Sequence, residues 1–125
     1  MKITTFNPLI VTKDAENAIK LFEELGFERR HSLDASTGKN DFTNVRMKNA
    51  DGFYVDISNV PVPQDLTLIR MNVDDFDAAY KFLLDKGFTN VQGDKTVDTN
   101  TNKSAMMKSP SGFAFDLCQH IKDND

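Results

Sequence analysis

Two aspartates occupy the same place in a phrase that the chain writes twice. Met47–Ile57 reads MKNADGFYVDI and Met107–Leu117 reads MKSPSGFAFDL, so Asp56 and Asp116 fall on matching positions. Two carboxylates brought together can move protons, because each disfavours ionisation of the other. The plainer expectation is an inherited position, solvated or paired with an arginine, since two acids without a histidine or a metal have no defined reaction. Arg70 is the arginine expected nearest to them. A guanidinium in such a place supplies positive charge, binds an anionic ligand, or simply closes an ion pair. Tyr54 shares a strand face with Asp56 and is expected as aromatic lining rather than as a proton donor. Asp116-x-Cys118-x-His120 sets a carboxylate, a thiol and an imidazole on one strand face, an arrangement that can share a metal or activate the thiol. That strand runs out into the polar tail IKDND, so a small buried Cys118 and a surface His120 are expected instead. Arg29, Arg30 and His31 are expected at the surface or rim.

What must position these groups is an internal duplication. Asp14–Phe27 reads DAENAIKLFEELGF, and Asp74–Phe88 reads DDFDAAYKFLLDKGF. A shift of 61 residues lays Asp14 on Asp75, Ala18 on Ala79 and Gly26-Phe27 on Gly87-Phe88, while the later phrases match at a shift of 60. Two matched blocks in one order indicate a repeat, with module 1 over 1–60 and module 2 over 61–125 of a single domain. The join NVPVPQD carries two prolines and suits an extended connector.

Each module reads as strand, helix, then three strands. The first strands are expected at Ile3–Thr12 and Leu66–Val73. Asp14 and Asp75 can cap the helices by accepting from first-turn amides. Ala15, Ala18, Ile19, Phe22 and Leu25 form one helical stripe, and Phe76, Ala79, Tyr80 and Leu83 form the other. Gly26 and Gly87 end the helices in the left-handed region. Further strands are expected near Glu28–Leu33, Phe42–Lys48 and Phe53–Ser58, and near Asn90–Gln92, Ser104–Lys108 and Phe113–Gln119. The links DASTGKND and GDKTVDTNTN read as polar loops, and Asn49–Gly52 and Ser109–Gly112 as hairpin turns. The fold class is therefore α+β, two βαβββ modules forming cupped mixed β-sheets. One helix covers one face of each sheet, so something else must cover the other.

This pattern resembles the vicinal oxygen chelate superfamily, which includes glyoxalase I, bleomycin-resistance proteins and extradiol dioxygenases. The resemblance rests on the duplicated order, on helices ending in LGF or KGF, and on DGFYVDI and SGFAFDL, similar to the family's D-G-x-x-x-E-[IL] strand with Asp for Glu. It implies a cup in which the first and last strand of each module present metal ligands, commonly histidine and glutamate. The corresponding positions here are Asn7, Leu68, Asp56 and Asp116. Both histidines are replaced, and transition-metal sites usually want three protein donors, often imidazole. No cofactor is expected, and any divalent metal would have to rely on Asp56 and Asp116. The resemblance implies a metal-independent small-molecule binding protein of the glyoxalase/bleomycin-resistance type, sequestering an antibiotic or toxin. The alternative is a metal-dependent lyase or isomerase of the glyoxalase I type using Asp56 and Asp116. A homodimer is expected, since it closes an open sheet face or edge.

Strand alternation fills in the cup. Asn7, Leu9 and Val11 share one face, as do Leu68, Arg70 and Asn72, then Tyr54, Asp56 and Ser58, then Ala114, Asp116, Cys118 and His120. The opposite faces, with Phe53, Val55, Ile57, Phe113, Phe115 and Leu117, are expected against the helices. The candidate ligand-binding residues are thus Asn7, Leu9, Tyr54, Asp56, Leu68, Arg70, Asn72 and Asp116, an apolar wall with sparse polar groups.

The rest of the chain excludes other classes. It has 125 residues with 39% hydrophobic and 27% charged, ten Phe, no Trp and a net charge of −4, without a basic face for nucleic acid. No apolar run approaches the roughly 20 residues of a membrane span, and the first residues are too polar for a signal peptide. One cysteine excludes an intrachain disulfide and suits the reducing cytoplasm, where the Asn102-Lys103-Ser104 sequon carries no meaning. Walker, G-x-G-x-x-G, H-E-x-x-H and G-x-S-x-G motifs are absent.

Overall fold

The computed structural model describes residues 1–36, 41–98 and 102–120. The middles of both polar links and the tail fall outside those residues. The elements are β1 (Ile3–Thr12), α1 (Ala15–Glu24), β2 (Glu28–Ser36), β3 (Asp41–Lys48), β4 (Tyr54–Asn59), β5 (Leu66–Val73), α2 (Phe76–Asp85), β6 (Thr89–Asn90), β7 (Val97–Asp98), β8 (Asn102–Lys108) and β9 (Ala114–His120). The fold is α+β with mixed pairing, as the repeat implies. Among the described residues no helix is long and apolar enough to cross a membrane.

The chain forms two compact units. The first is Asn7–Thr67, and the second joins Met1–Phe6 to Leu68–Asp125. In the first unit β2 pairs antiparallel with β3, β3 antiparallel with β4, and β4 parallel with β1. In the second, β5 pairs parallel with β9, and β9 and β6 pair antiparallel with β8. The opening residues belong to the second unit because they are tied there by hydrogen bonds. The Asp74 amide donates to the Lys2 carbonyl at 3.0 Å, and the Lys2 amide donates to Asp74 Oδ1 at 2.7 Å.

Both helices start and stop for local reasons. Asp14 accepts from the Asn17 amide at 3.4 Å and Asp75 from the Ala78 amide at 3.1 Å, satisfying first-turn donors. Gly26 and Gly87 adopt φ of 103° and 96°, which side chains with a Cβ rarely adopt. In the first unit Ala15 and Ile19 bury against Val45, Met47, Val55 and Ile57. In the second, Phe76, Ala79 and Leu83 bury against Met71, Val73, Ala105, Met107 and Leu117. Each of these faces is the helix side of its sheet, as alternation requires.

Several expectations change. Leu25 is exposed, because α1 ends at Glu24 and Leu25 falls in the cap beyond its packed stripe. Phe53 and Phe113 are exposed, not core, since β4 and β9 begin one residue later and both rings remain at the turn. Phe113 still packs edge-on against Phe88 and Phe115. The short strand after α2 is Thr89–Asn90 rather than Asn90–Gln92, because a turn takes over at Val91. Val97–Asp98, expected in a loop, pairs with Ser104 and Lys103 as β7.

Buried and exposed apolar side chains should separate cleanly in stability. Ile57 is fully buried, so Ile57→Ala should lose about 2–5 kcal/mol in urea unfolding. Asp75→Ala should lose about 1 kcal/mol with its cap. Phe53→Ala should stay within about 0.5 kcal/mol of the parent, and a core-sized loss there would contradict the exposed placement.

Candidate ligand-binding site

In the first unit the site grows from the pairing of three strands. The hairpin turn at Asn49–Gly52 sets β3 against β4 so that Lys48 faces Tyr54, Arg46 faces Asp56 and Asn44 faces Ser58. Residues opposite one another share a sheet face. Parallel pairing on the other side of β4 sets Leu9 against Asp56. Asn7, Leu9, Asp56 and Ser58 are all buried there, and Val55 and Ile57 are buried on the helix side. β4 thus has both faces covered, and an aspartate in its middle must find its partners inside the protein.

Asp56 does so through Arg46. Arg46 Nε donates to Oδ1 and Nη2 to Oδ2, both at 2.9 Å. This two-point grip is the strongest geometry a guanidinium has for a carboxylate. Asn7 Nδ2 adds a third bond to Oδ2 at 3.0 Å, and Asn7 Oδ1 accepts from Arg46 Nη2 at 3.1 Å. The Asp56 side chain is 2% exposed and that of Arg46 is 23%. The Arg46 guanidinium also lies 5.0 Å from the Tyr54 ring centre, with Lys48 Nζ at 5.3 Å from the same ring. Cations at that range are attracted to the ring face. One rung further on, Ser58 Oγ donates to Asn44 Oδ1.

The second unit solves the same problem differently. Met106 stands opposite Asp116 on β8, where Arg46 stands in the first unit. The guanidinium comes instead from β5, where Arg70 is in register with Asp116. Arg70 Nε and Nη2 both reach Oδ2 at 2.9 Å. Cys118 is buried, and its thiol lies 3.5 Å from the same oxygen and 3.7 Å from the Asp116 carbonyl. Asn72 is buried and donates to Thr5 Oγ1. Leu68 is buried and offers no donor or acceptor. His120 is exposed, as its place near the strand end implies.

Asn7, Leu9, Tyr54 and Asp56 are therefore brought together in one unit, and Leu68, Arg70, Asn72 and Asp116 lie on the strands of the other. Arg70 pairs with Asp116, and Asp56 has its own arginine. That arginine, Arg46, is the member of this polar face that strand-by-strand reading missed. The signal was present, because the Asn49–Gly52 turn fixes which β3 residue faces Asp56. The His31 side chain is outside the described positions. Among the described residues no three His, Cys, Asp or Glu side chains are grouped to hold a metal ion.

A family model described as Glyoxalase/Bleomycin resistance protein/Dioxygenase superfamily matches residues 3–117. No curated protein sequence matches the chain. Among solved structures, a methylmalonyl-CoA epimerase is 18% identical with a TM-score of 0.70, covering 98% of this chain and 99% of that one. A superfamily member from Vibrio splendidus 12B01 is 21% identical with a TM-score of 0.58, covering 94% and 98%. The V278E mutant of glyoxalase I from Zea mays is 14% identical with a TM-score of 0.66, covering 98% of this chain but 45% of that one. At these identities the likeness is one of fold.

The two ion pairs should differ in what their loss does. Asp56→Ala takes the buried carboxylate away from a partly buried guanidinium and an amide, and should cost about 3 kcal/mol or more in urea unfolding. Asp116→Ala removes a one-oxygen contact to a carboxylate that is more exposed, 17% against 2%, and should cost about 1–2 kcal/mol. The reverse order would contradict the geometry.

Proposed function

The chain belongs to the Glyoxalase/Bleomycin resistance protein/Dioxygenase superfamily, and from that membership we propose that it is a metal-independent small-molecule binding protein of the glyoxalase/bleomycin-resistance type. It sequesters a partly apolar antibiotic or toxin, as a homodimer in the cytoplasm. The observation that carries this reading is the state of Asp56. Both of its oxygens are held by Arg46 and Asn7, at the position where metal-dependent relatives place a ligand.

The residues at the four ligand positions do not fit a transition metal. Leu68 has no donor atom, and the Asn7 amide oxygen already accepts from Arg46. A dication beside Asp56 would also meet the Arg46 guanidinium. At about 4 Å and an effective dielectric near 20, that repulsion is on the order of 8 kcal/mol. The same arrangement favours holding an organic ligand. Tyr54 offers a half-buried ring, Leu9 and Val11 an apolar floor, and the Arg46–Asp56 pair a fixed dipole that orients polar groups without consuming them. A single cysteine, buried in β9, supports the reducing compartment. The alternative, a lyase or isomerase with a metal on Asp56 and Asp116, requires both carboxylates to leave their arginines.

Two measurements decide between these. Protein purified without chelator should contain well under one equivalent of any transition metal by elemental analysis. Stoichiometric zinc, nickel, iron or manganese that disappears in Asp56→Asn would establish the metal-dependent alternative. A thermal-shift panel of cationic, neutral and anionic organic compounds should raise Tm by several degrees for at least one class, since a ligand at 100 times its Kd adds about 2.7 kcal/mol. That shift should shrink in Tyr54→Ala. A panel in which no compound stabilises the protein overturns the binding function.

A further inference from the structure

Gly26, Glu28, Arg30, Lys48, Asn49 and Ala50 line a depression of about 310 Å³ in the first unit. That is near the lower end of small-molecule sites, roughly 300–1,000 Å³. Its polar wall is built by the β2–β3 ladder. Glu28 and Lys48 are cross-strand partners, so their side chains share a face. The ladder then slips between Arg29 and His31. A bulge of this kind re-aims a side chain, and it leaves Arg30 on the same wall as Lys48. Two cations against one carboxylate give the wall a net single positive charge. Two exposed apolar residues lie close to its lining in the chain: Leu25, just before Gly26, is 61% exposed, and Phe53, just past the Asn49–Gly52 turn, is 64% exposed. The Phe53 amide donates to Asn49 Oδ1 at 2.9 Å, which keeps that residue beside the wall.

The duplication supplies an internal control. Gly87, Ser109 and Pro110 occupy the corresponding places in the second unit. The two turns close alike, with Gly52 N–H on the Asn49 carbonyl and Gly112 N–H on the Ser109 carbonyl, both at 3.1 Å. A Cβ built on Gly87 would meet Pro110 Cγ at 3.0 Å, whereas one built on Gly26 meets nothing within 4 Å. Proline closes this place in the second unit, and Ala50 leaves it open in the first, where the cations are.

We propose that this depression is a carboxylate-binding subsite for the charged end of an amphiphilic organic monoanion. The inference rests on the reading that the chain holds a small molecule, and it names that ligand's class and where its charge is received. Lys48 connects the subsite to the Tyr54, Arg46 and Asp56 face, because its ammonium lies over the Tyr54 ring. The anion's apolar body is taken by the exposed Leu25 and Phe53 side chains.

Calorimetric titration of the full chain with 4-phenylbutyrate and with 4-phenylbutylamine tests this. The carboxylate should bind and the amine should not. Ala50→Pro should weaken carboxylate binding about tenfold or more, a loss of about 1.4 kcal/mol. Its Tm should be unchanged, since the sister turn already carries proline at this place. Arg30→Gln should weaken binding severalfold and reduce its dependence on salt. Carboxylate binding that Ala50→Pro leaves unchanged, or equal binding of the amine, overturns the subsite while leaving a bound small molecule in place. Absence of carboxylate binding also overturns it, and the thermal-shift panel then reports separately on whether the chain binds any small molecule.

Discussion

A carboxylate with almost no access to water sits in the middle of a strand covered on both faces, and the first unit is arranged around keeping it satisfied. Asp56 has three hydrogen bonds from Arg46 and Asn7. The two donor residues stand on the two different strands beside β4, so the network also fixes the registers of β3 and β1 against β4. A one-residue slip in either pairing would turn the partner side chains to the helix side and leave the charge bare. The hydrophobic core under α1 needs the same registers, since Val45, Met47, Val55 and Ile57 alternate with the residues of the polar face. Polar network and apolar core therefore specify one pairing between them, which is the consistency across levels that gives a sequence a single structure.

The duplicated acid shows that the requirement is for a guanidinium and not for a particular position. In the first unit it arrives from the antiparallel neighbour, as Arg46, and in the second from the parallel neighbour, as Arg70. Both neighbours of a central strand place a same-face side chain about 5 Å away, so either one can supply the charge. The outcomes are not equivalent. Arg46 grips two oxygens and is backed by an amide, whereas Arg70 rests on one oxygen that it shares with the Cys118 thiol. The first unit also keeps an open, cation-lined depression where the second has a proline packed against its helix-terminal glycine. A duplicated scaffold has kept its backbone devices, the aspartate caps and left-handed glycines, while its two polar faces have diverged.

Much of this was set by the sequence alone. Helix caps at Asp14 and Asp75, glycine stops at Gly26 and Gly87, the hairpin turns and the repeat itself are local, and each depends on chain chemistry within a few residues. Alternation within single strands correctly separated Asn7, Leu9, Asp56, Arg70, Asn72 and Asp116 from the residues that pack on the helices. Strand alternation failed at Phe53 and Phe113, and the helical stripe failed at Leu25, because a pattern continues past the point where an element stops, and only packing shows where it stops. What only the tertiary structure decided is which charge meets which. Arg70 goes to Asp116, Asp56 takes Arg46, and Ala50 leaves open what Pro110 closes. Those outcomes depend on register between strands and on the distance between a turn and a helix end, both of which are set by contacts between residues far apart in the chain.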